Sequence, residues 1–351
     1  PPPPRARTLS QTPHPSHPNN PQHSQPPPPG SPPTHPRPRS TLLSADVSSP
    51  RALTEKILER PRLIERIRVG IMDSSKAYLT VFNSTPHERK LAVLLGVPLN
   101  GCDPRLAEFG TKSGARKAFR SAGVDLPCGF EDLRDAEDAG EALAELRSQR
   151  PEARRAVLKL NDSFSGEGNA LFTFPVSRSK GALRDALNRL EFSVPTETTE
   201  AYFEKYSRMG GIAEEFLEAP EKLSPSGQYR ISPRGDVLAV STHDQILGGP
   251  SNQVFLGCRF PARDDYRIPI QEAGLRIGRV LAEQGVVSRY GVDFLVHRDG
   301  PSEEWKAAAL EINLRMGGTT HPYLALQFLT GGSLDPECGL YRSPSGQAKF
   351  Y

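Results

Sequence analysis

Between residues 309 and 318 the chain reads Ala-Leu-Glu-Ile-Asn-Leu-Arg-Met-Gly-Gly. A strand alternates its side chains between two faces, so Leu310, Ile312 and Leu314 would point one way and Glu311, Asn313 and Arg315 the other. Two oxygen ligands and a cation in one row suit a hard metal: Mg²⁺ takes one or two carboxylates plus the phosphate oxygens of a nucleotide. A guanidinium beside them would hold a further phosphate or a carboxylate. On the pattern alone, a half-buried strand with a solvated polar face is the plainer reading. Residues 289–296, Arg-Tyr-Gly-Val-Asp-Phe-Leu-Val, set Asp293 within an otherwise apolar strand. A buried, unpaired carboxylate is costly, so Asp293 requires a cation. That cation is either a metal shared with Glu311 and Asn313, or Arg289 or Arg315 in a salt bridge.

Two segments upstream offer groups for a nucleotide. Lys159 lies near the end of the apolar strand 156–160, and a second strand, 170–174, leaves the intervening loop, which contains Ser163, Ser165, Gly166 and Gly168. Backbone N–H groups in such a tip approach phosphate oxygens without a bulky Cβ in the way, and the lysine adds a point charge. The plain alternative is an exposed surface hairpin. Residues 211–221 run from Gly-Ile-Ala into Glu214, Glu215, Phe216, Leu217 and, after Pro220, Glu221. An apolar strand passing into carboxylates can form an adenine slot, although strand ends are often acidic.

The elements that must position these groups alternate in type. Helices are expected over 53–67, interrupted near Pro61, and over 88–95, 113–122, 136–150, 180–190, 268–284 and 322–329. Strands are expected over 78–82, 156–160, 170–174, 211–217, 228–231, 237–242, 290–297 and 307–315. Strands and helices mix, several strands pair as antiparallel hairpins, and the predicted class is α+β.

Residues 1–40 hold 16 of the 35 prolines and no acidic side chain. Such a segment cannot bury enough apolar surface to offset its ordering entropy, so a disordered Pro-rich arm is expected over 1–44. It reads as a passive tail, with a ligand for proline-recognition domains or part of a targeting peptide as alternatives. The net charge of +3 also sits in this region, since residues 51–351 carry 40 basic and 40 acidic groups. No nucleic-acid groove is therefore implied for the folded part. The four cysteines are scattered, which argues against a zinc site and suits a reducing compartment. No apolar run approaches the length that crosses a bilayer. The folded part is expected to be soluble and cytoplasmic. The chain opens without Met and ends at Tyr351, soon after the last motif, so a fragment with a truncated C-terminal end is an open expectation.

Five motifs follow one another in order. They are Gly-Thr-Lys-Ser-Gly at 110–114, Leu-Lys-Leu-Asn-Asp at 158–162 with Ser-Gly-Glu-Gly-Asn at 165–169, and Thr-His-Asp-Gln at 242–245 with Gly-Gly-Pro at 248–250. Gly-Cys-Arg-Phe-Pro at 257–261 comes next, then Glu-Ile-Asn-Leu-Arg at 311–315 with Gly-Gly-Thr-Thr-His-Pro at 317–322. In this the chain resembles the ATP-grasp superfamily of carboxylate–amine ligases. It looks nearest to the peptide-ligase-like group, related to the pheganomycin peptide ligase, and to the ATP-grasp part of the IQ motif-containing protein H family.

The resemblance implies an ATP-grasp domain over 110–351, with two α+β subdomains clasping ATP, preceded by a small α/β domain over 45–109. Lys112 and Lys159 would meet ATP phosphates, with Ser165, Gly166 and Gly168 in a lid. Glu214 would meet the adenine amine, Glu215, Phe216 and Leu217 would form the hinge, and Glu221 would reach the ribose. Asp293, Glu311 and Asn313 would hold one or two Mg²⁺ ions, and Arg315 would orient the carboxylate or its acyl phosphate. The implied reaction is ADP-forming amide synthesis from a small-molecule or peptide carboxylate and an amine. An ATP-binding interaction protein without ligase activity and an ATP-grasp phosphotransferase are the alternatives. Two departures stand out. Many members carry a basic residue on the strand around 241–247, where this chain has His243 and Gln245, and other branches carry arginine at the position of Gly291.

Overall fold

A computed structural model describes residues 41–163, 167–177, 179–248 and 254–351, with only the backbone of Val254. The Pro-rich stretch up to residue 40 and the loop residues Ser165 and Gly166 lie outside these.

The leading residues form α1 (Leu53–Leu58), α2 (Pro61–Gly70), β1 (Leu79–Thr80), α3 (Pro86–Leu95) and β2 (Leu99–Asn100). The break before Pro61 falls where proline cannot continue a helix but can start one. Thr85 and Glu88 make a capping box at the start of α3, and Gly96, in the left-handed region, ends it. Ile64, Leu91, Leu95 and Val97 close a small core of their own. The strand expected over 78–82 is only two residues long, paired in parallel with β2.

Next come α4 (Lys112–Ser121), β3 (Gly129–Leu133), α5 (Ala136–Gln149), β4 (Arg155–Leu160), β5 (Asn169–Thr173), α6 (Lys180–Leu187), β6 (Glu191–Phe192), α7 (Thr199–Met209) and β7 (Gly211–Glu215). Their strands form an antiparallel sheet in the order β3-β7-β4-β5-β6. Apolar residues of α5, α6 and α7 pack on it, with Phe172, Tyr202 and Tyr206 among the fully buried side chains.

The larger sheet contains β8 (Glu221–Leu223), β9 (Pro225–Ile231), β10 (Val237–Gly248), β11 (Val254–Arg259), β12 (Ser288–Arg298) and β13 (Lys306–Asn313). Its order is β11-β10-β9-β12-β13, with β8 also pairing β12. The helix α8 (Asp264–Glu283) covers one face. Tyr229, Ile231, Tyr290, Val292 and Phe294 point at it, and Ala115, Ala118 and Phe119 of α4 extend the same core. Two tyrosines set the distance of approach. Tyr229 donates to the carbonyl of Ile270 at 2.8 Å and Tyr290 to that of Gly274 at 3.0 Å. A Cβ at Gly274 or Gly278 would lie 1.9 Å from one of these side chains, so the helix needs glycine at both positions.

The chain finishes with α9 (Thr320–Thr330) and an antiparallel sheet of β14 (Ser333–Asp335), β15 (Leu340–Arg342) and β16 (Ala348–Lys349). Tyr323, Tyr341 and Phe260 bury together, and Tyr351 exchanges two backbone hydrogen bonds with Phe260. The hairpin at 156–174, the pair 228–242 and the pair 290–313 occur as expected, whereas the strand from Gly211 stops at Glu215 and that from Lys306 stops at Asn313.

Candidate nucleotide and metal site

The face of the large sheet opposite α8 carries Asp293, Glu311 and Asn313. Asp293 and Glu311 are direct partners across β12 and β13, and Asn313 faces Gly291 two residues on. Each oxygen of Asp293 accepts one amide: Gln245 Nε2 donates at 2.9 Å and Asn313 Nδ2 at 3.0 Å. Burial, with the charge of Glu311, pushes the Asp293 carboxyl up to about 7, against the opposing pull of Lys112 and Arg315. Glu311 itself is held by Lys112 Nζ at 2.6 Å. The salt bridge allowed for between Asp293 and Arg289 or Arg315 does not form among the described residues.

A metal ion fits this arrangement on the chemistry of its donors. Asn313 turns its NH₂ to Asp293, which leaves its carbonyl oxygen for a cation, and two carboxylates complete a hard-oxygen set. Among the described residues no group of three His, Cys, Asp or Glu gathers anywhere. Two carboxylates and an amide suit Mg²⁺, which takes few protein ligands beside phosphate oxygens, better than Zn²⁺.

The second half of the site lies on the small sheet. Glu214 on β7 is only 3% exposed and receives Lys159 Nζ at 2.5 Å and Arg116 Nη1 at 2.8 Å. One helix serves both halves: Lys112 and Arg116 are four residues apart on α4, so they share a face. Its first turn is fixed by Asn161, which follows β4. The Asn161 carbonyl accepts from Lys112 N–H at 3.2 Å and its Oδ1 from Ser113 N–H at 2.9 Å, while its Nδ2 donates to Met209 at 3.0 Å. Thr111 caps the helix through Gly114 N–H. Lys112, Asn161, Asp162, Ser163, Glu311, Asn313 and Arg315 line a cleft of about 380 Å³ together with residues 83–86 and 103–104.

A family model described as IQCH-like, ATP-grasp matches residues 104–190 and 190–337. The chain belongs to the IQCH-like ATP-grasp family. An L-propargylglycine–L-glutamate ligase of Streptantibioticus cattleyicolor is 31% identical over 319 residues, covering 90% of this chain and 63% of that protein. IQ motif-containing protein H of Danio rerio is 25% identical over 310 residues, covering 78% of this chain and 29% of that protein. The chain thus spans less than two thirds of either relative. Among solved structures, a biotin carboxylase of Campylobacter jejuni in complex with β,γ-ATP has a TM-score of 0.54 at 15% identity, covering 76% of this chain and 55% of that one. The biotin carboxylase domain of a Hydrogenobacter thermophilus 2-oxoglutarate carboxylase, solved with MgADP, gives 0.51 at 15%, covering 81% and 59%. These likenesses show the α+β ATP-grasp fold.

Within this ATP-grasp chain the expected site residues divide. Lys112, Asp293, Glu311 and Asn313 meet on the large sheet, and Lys159 meets Glu214 on the small one. Arg315 does not continue their row: β13 has ended, and its Nη1 donates to the carbonyl of Met316 at 3.0 Å. Its guanidinium lies 5.9 Å from the Phe82 ring, which stacks on His321 at 6.2 Å, and the Phe82 carbonyl accepts from Met316 N–H at 3.0 Å. At the end of β7, Glu215 pairs with Arg150; beyond it, the Phe216 ring meets both Arg155 and Lys222, and Leu217 offers its carbonyl to Lys222. Glu221 is held by Arg298 at 2.7 Å. The carbonyl of Gly168 accepts from Tyr202 Oη at 3.1 Å, which ties down the start of β5.

His243 does not serve the site as a phosphate contact: it is fully buried, its Nε2 is 2.9 Å from Tyr351 Oη, and burial lowers its pKa to about 3. Gln245 instead supports Asp293. Neither Gln245's partner nor Arg116's was legible in the sequence, because the contacts join residues 48 and 98 apart.

Proposed function

We propose that this chain is an ATP- and Mg²⁺-dependent carboxylate–amine ligase. The observation that carries the reading is the convergence of Asp293, Glu311 and Asn313 at one sheet register with Lys112 in contact. Asp293, Glu311 and Asn313 would hold Mg²⁺, which supplies electrophilic activation of phosphate oxygens. Lys112 and Lys159 would neutralise the phosphates, Glu214 would face the adenine, Glu215, Phe216 and Leu217 would form its wall, and Glu221 the ribose contact. Ser165, Gly166 and Gly168 would form the lid, and Arg315 would orient the acyl group. Residues 45–109 would serve as a pre-ATP-grasp domain and 110–351 as the ATP-grasp domain.

In the reaction a carboxylate oxygen attacks the γ-phosphorus, breaking its bond to the bridging oxygen and releasing ADP. An amine nitrogen then attacks the acyl carbon, phosphate departs, and one proton leaves the nitrogen. Preorganised cations and exclusion of water are the contributions asked of the protein. The curated relative from Streptantibioticus cattleyicolor is named as joining two amino acids. Amino acids or short peptides are accordingly the substrate class to test.

ADP release against mixed carboxylates and amines should require both components together. ADP formed without any amine would indicate a phosphotransferase, and nucleotide binding without ADP would indicate a binding protein. Glu311→Ala should weaken Mg-ATP binding by about tenfold or more. Unchanged affinity removes the metal assignment.

A further inference from the structure

Arg230 and Arg289 face one another across β9 and β12 as direct partners. Side chains at such positions lie about 5 Å apart, where like charges repel. Among the described residues neither guanidinium donates a hydrogen bond or joins an ion pair. Burial holds the Arg289 guanidinium below its ordinary range, the charge of Arg230 adds to this, and the Tyr323 hydroxyl opposes it. A partly buried Arg289 facing an exposed Arg230, with no acid paired to either, is an arrangement that folding alone does not reward.

Their place on the sheet supplies the reason for it. Arg289, Gly291 and Asp293 alternate along β12 on one face, opposite Arg230, Gln228 and Ser226 of β9. The arginines therefore share the face of Asp293, Glu311 and Asn313. Between the two groups the floor is a glycine, and a Cβ at Gly291 would lie 2.7 Å from Gln228 Nε2. Gln228 is only 8% exposed, and its side chain makes no hydrogen bond to a described residue. Its neighbour across β10, Ser241, has a buried hydroxyl that also lacks a partner among those residues. Buried polar groups are almost always satisfied, so the unmatched Ser241 hydroxyl beside the partly buried, unpaired Arg289 marks a place for an anion, with Arg230 at its exposed edge.

We infer that Arg289 and Arg230, with Gln228, hold a second carboxylate of the substrate, one that does not react, while the reacting groups lie toward Asp293. This rests on the ligase reading for the direction of the substrate. Four residues of strand separate Arg289 from Asp293, about 13 Å, and a leaning arginine spans much of that. An amino acid or short peptide with two carboxylates, lying over Gly291, matches the remainder. Guanidinium groups suit a carboxylate better than lysines would because the fork matches its geometry.

Calorimetric titration of the whole chain with glutarate, butyrate and inorganic phosphate, with and without MgADP, tests this. Glutarate should bind about tenfold or more tighter than butyrate, and Arg289→Met with Arg230→Met should abolish that preference. Arg289→Lys alone should lose part of it. The double variant should melt no lower than the parent, since a repulsive pair is removed. No glutarate preference, no glutarate binding, or tighter Arg289-dependent binding of phosphate would each overturn the inference. A double variant melting many degrees lower would make the arginines structural and overturn it too. A glutarate preference without any MgADP binding would leave the arginine site standing and sink the ligase reading. MgADP binding without the preference would do the reverse.

Discussion

At the scale of single residues, charge is arranged against the interest of the ligand-free fold. Asp293 is a buried carboxylate with two amide donors and no direct cation. Asp293→Asn removes a charge that burial disfavours, and Gln245 can present its oxygen to the new amide. The metal-free variant should melt a few degrees higher than the parent, while Mg²⁺ should no longer raise its affinity for nucleotide. Parallel thermal melts and titrations check both, and a lower melting temperature would mean that Asp293 is a structural acceptor. Arg116 is the opposite case. Its Nη1 meets Glu214 and its Nη2 the carbonyl of Pro127, all buried. Arg116→Met should cost about 3 kcal/mol, read as a fall in chemical-denaturation midpoint. A loss below ~1 kcal/mol would show that Lys159 alone satisfies Glu214.

At the scale of elements, α8 and β12 decide where Asp293 stands. Gly278→Ala would drive a methyl into the Tyr290 hydroxyl, two residues along β12 from Val292 and three from Asp293. The expected loss is about 1–3 kcal/mol, with weaker Mg-dependent nucleotide binding in the folded fraction. Destabilisation with full nucleotide affinity would show that β12 absorbs the shift. The sequence made the pieces at this scale readable where local pattern governs them. Alternation exposed β12 and β13, and Pro61 marked the break between α1 and α2. Alternation ran the strand on to Arg315, whereas β13 ends at Asn313 and Arg315, still lining the cleft, donates to the carbonyl of Met316 beside the Phe82 ring. The role of Asn161, which ties α4, β4 and α7 together, depends on residues 48 positions away on either side. No spacing rule could have found it.

For the whole molecule, acid sensitivity has a definite source at the packing of the last strands on the large sheet. His243 stays neutral in the fold down to about pH 3, whereas the unfolded chain protonates it below about 6.5. Between those values the unfolded state binds one more proton at this residue, so the histidine's own contribution to stability falls as pH drops from 6.5 toward 3, while Asp293, raised to about 7 in the fold, acts in the opposite direction. The histidine should contribute a loss of about 2 kcal/mol by pH 5. His243→Gln should flatten that limb of a stability profile measured from pH 7 to pH 5. An unchanged slope would assign the sensitivity to other groups. Among the described residues no helix is long and apolar enough to cross a membrane.

The ion pairs of Lys112 with Glu311 and of Lys159 and Arg116 with Glu214 have a consequence for how a polyanion arrives. The site is not a bare positive field waiting for phosphate, because Lys112, Lys159 and Arg116 already answer to carboxylates of the same chain. Entry of a triphosphate would be an exchange of partners, in which an incoming oxygen and an outgoing carboxylate compete for each ammonium. Long-range attraction should then add little to the association rate, which ought to change only slightly with ionic strength. The slow event would be the breaking of short internal contacts, so capture of nucleotide would be governed at close range.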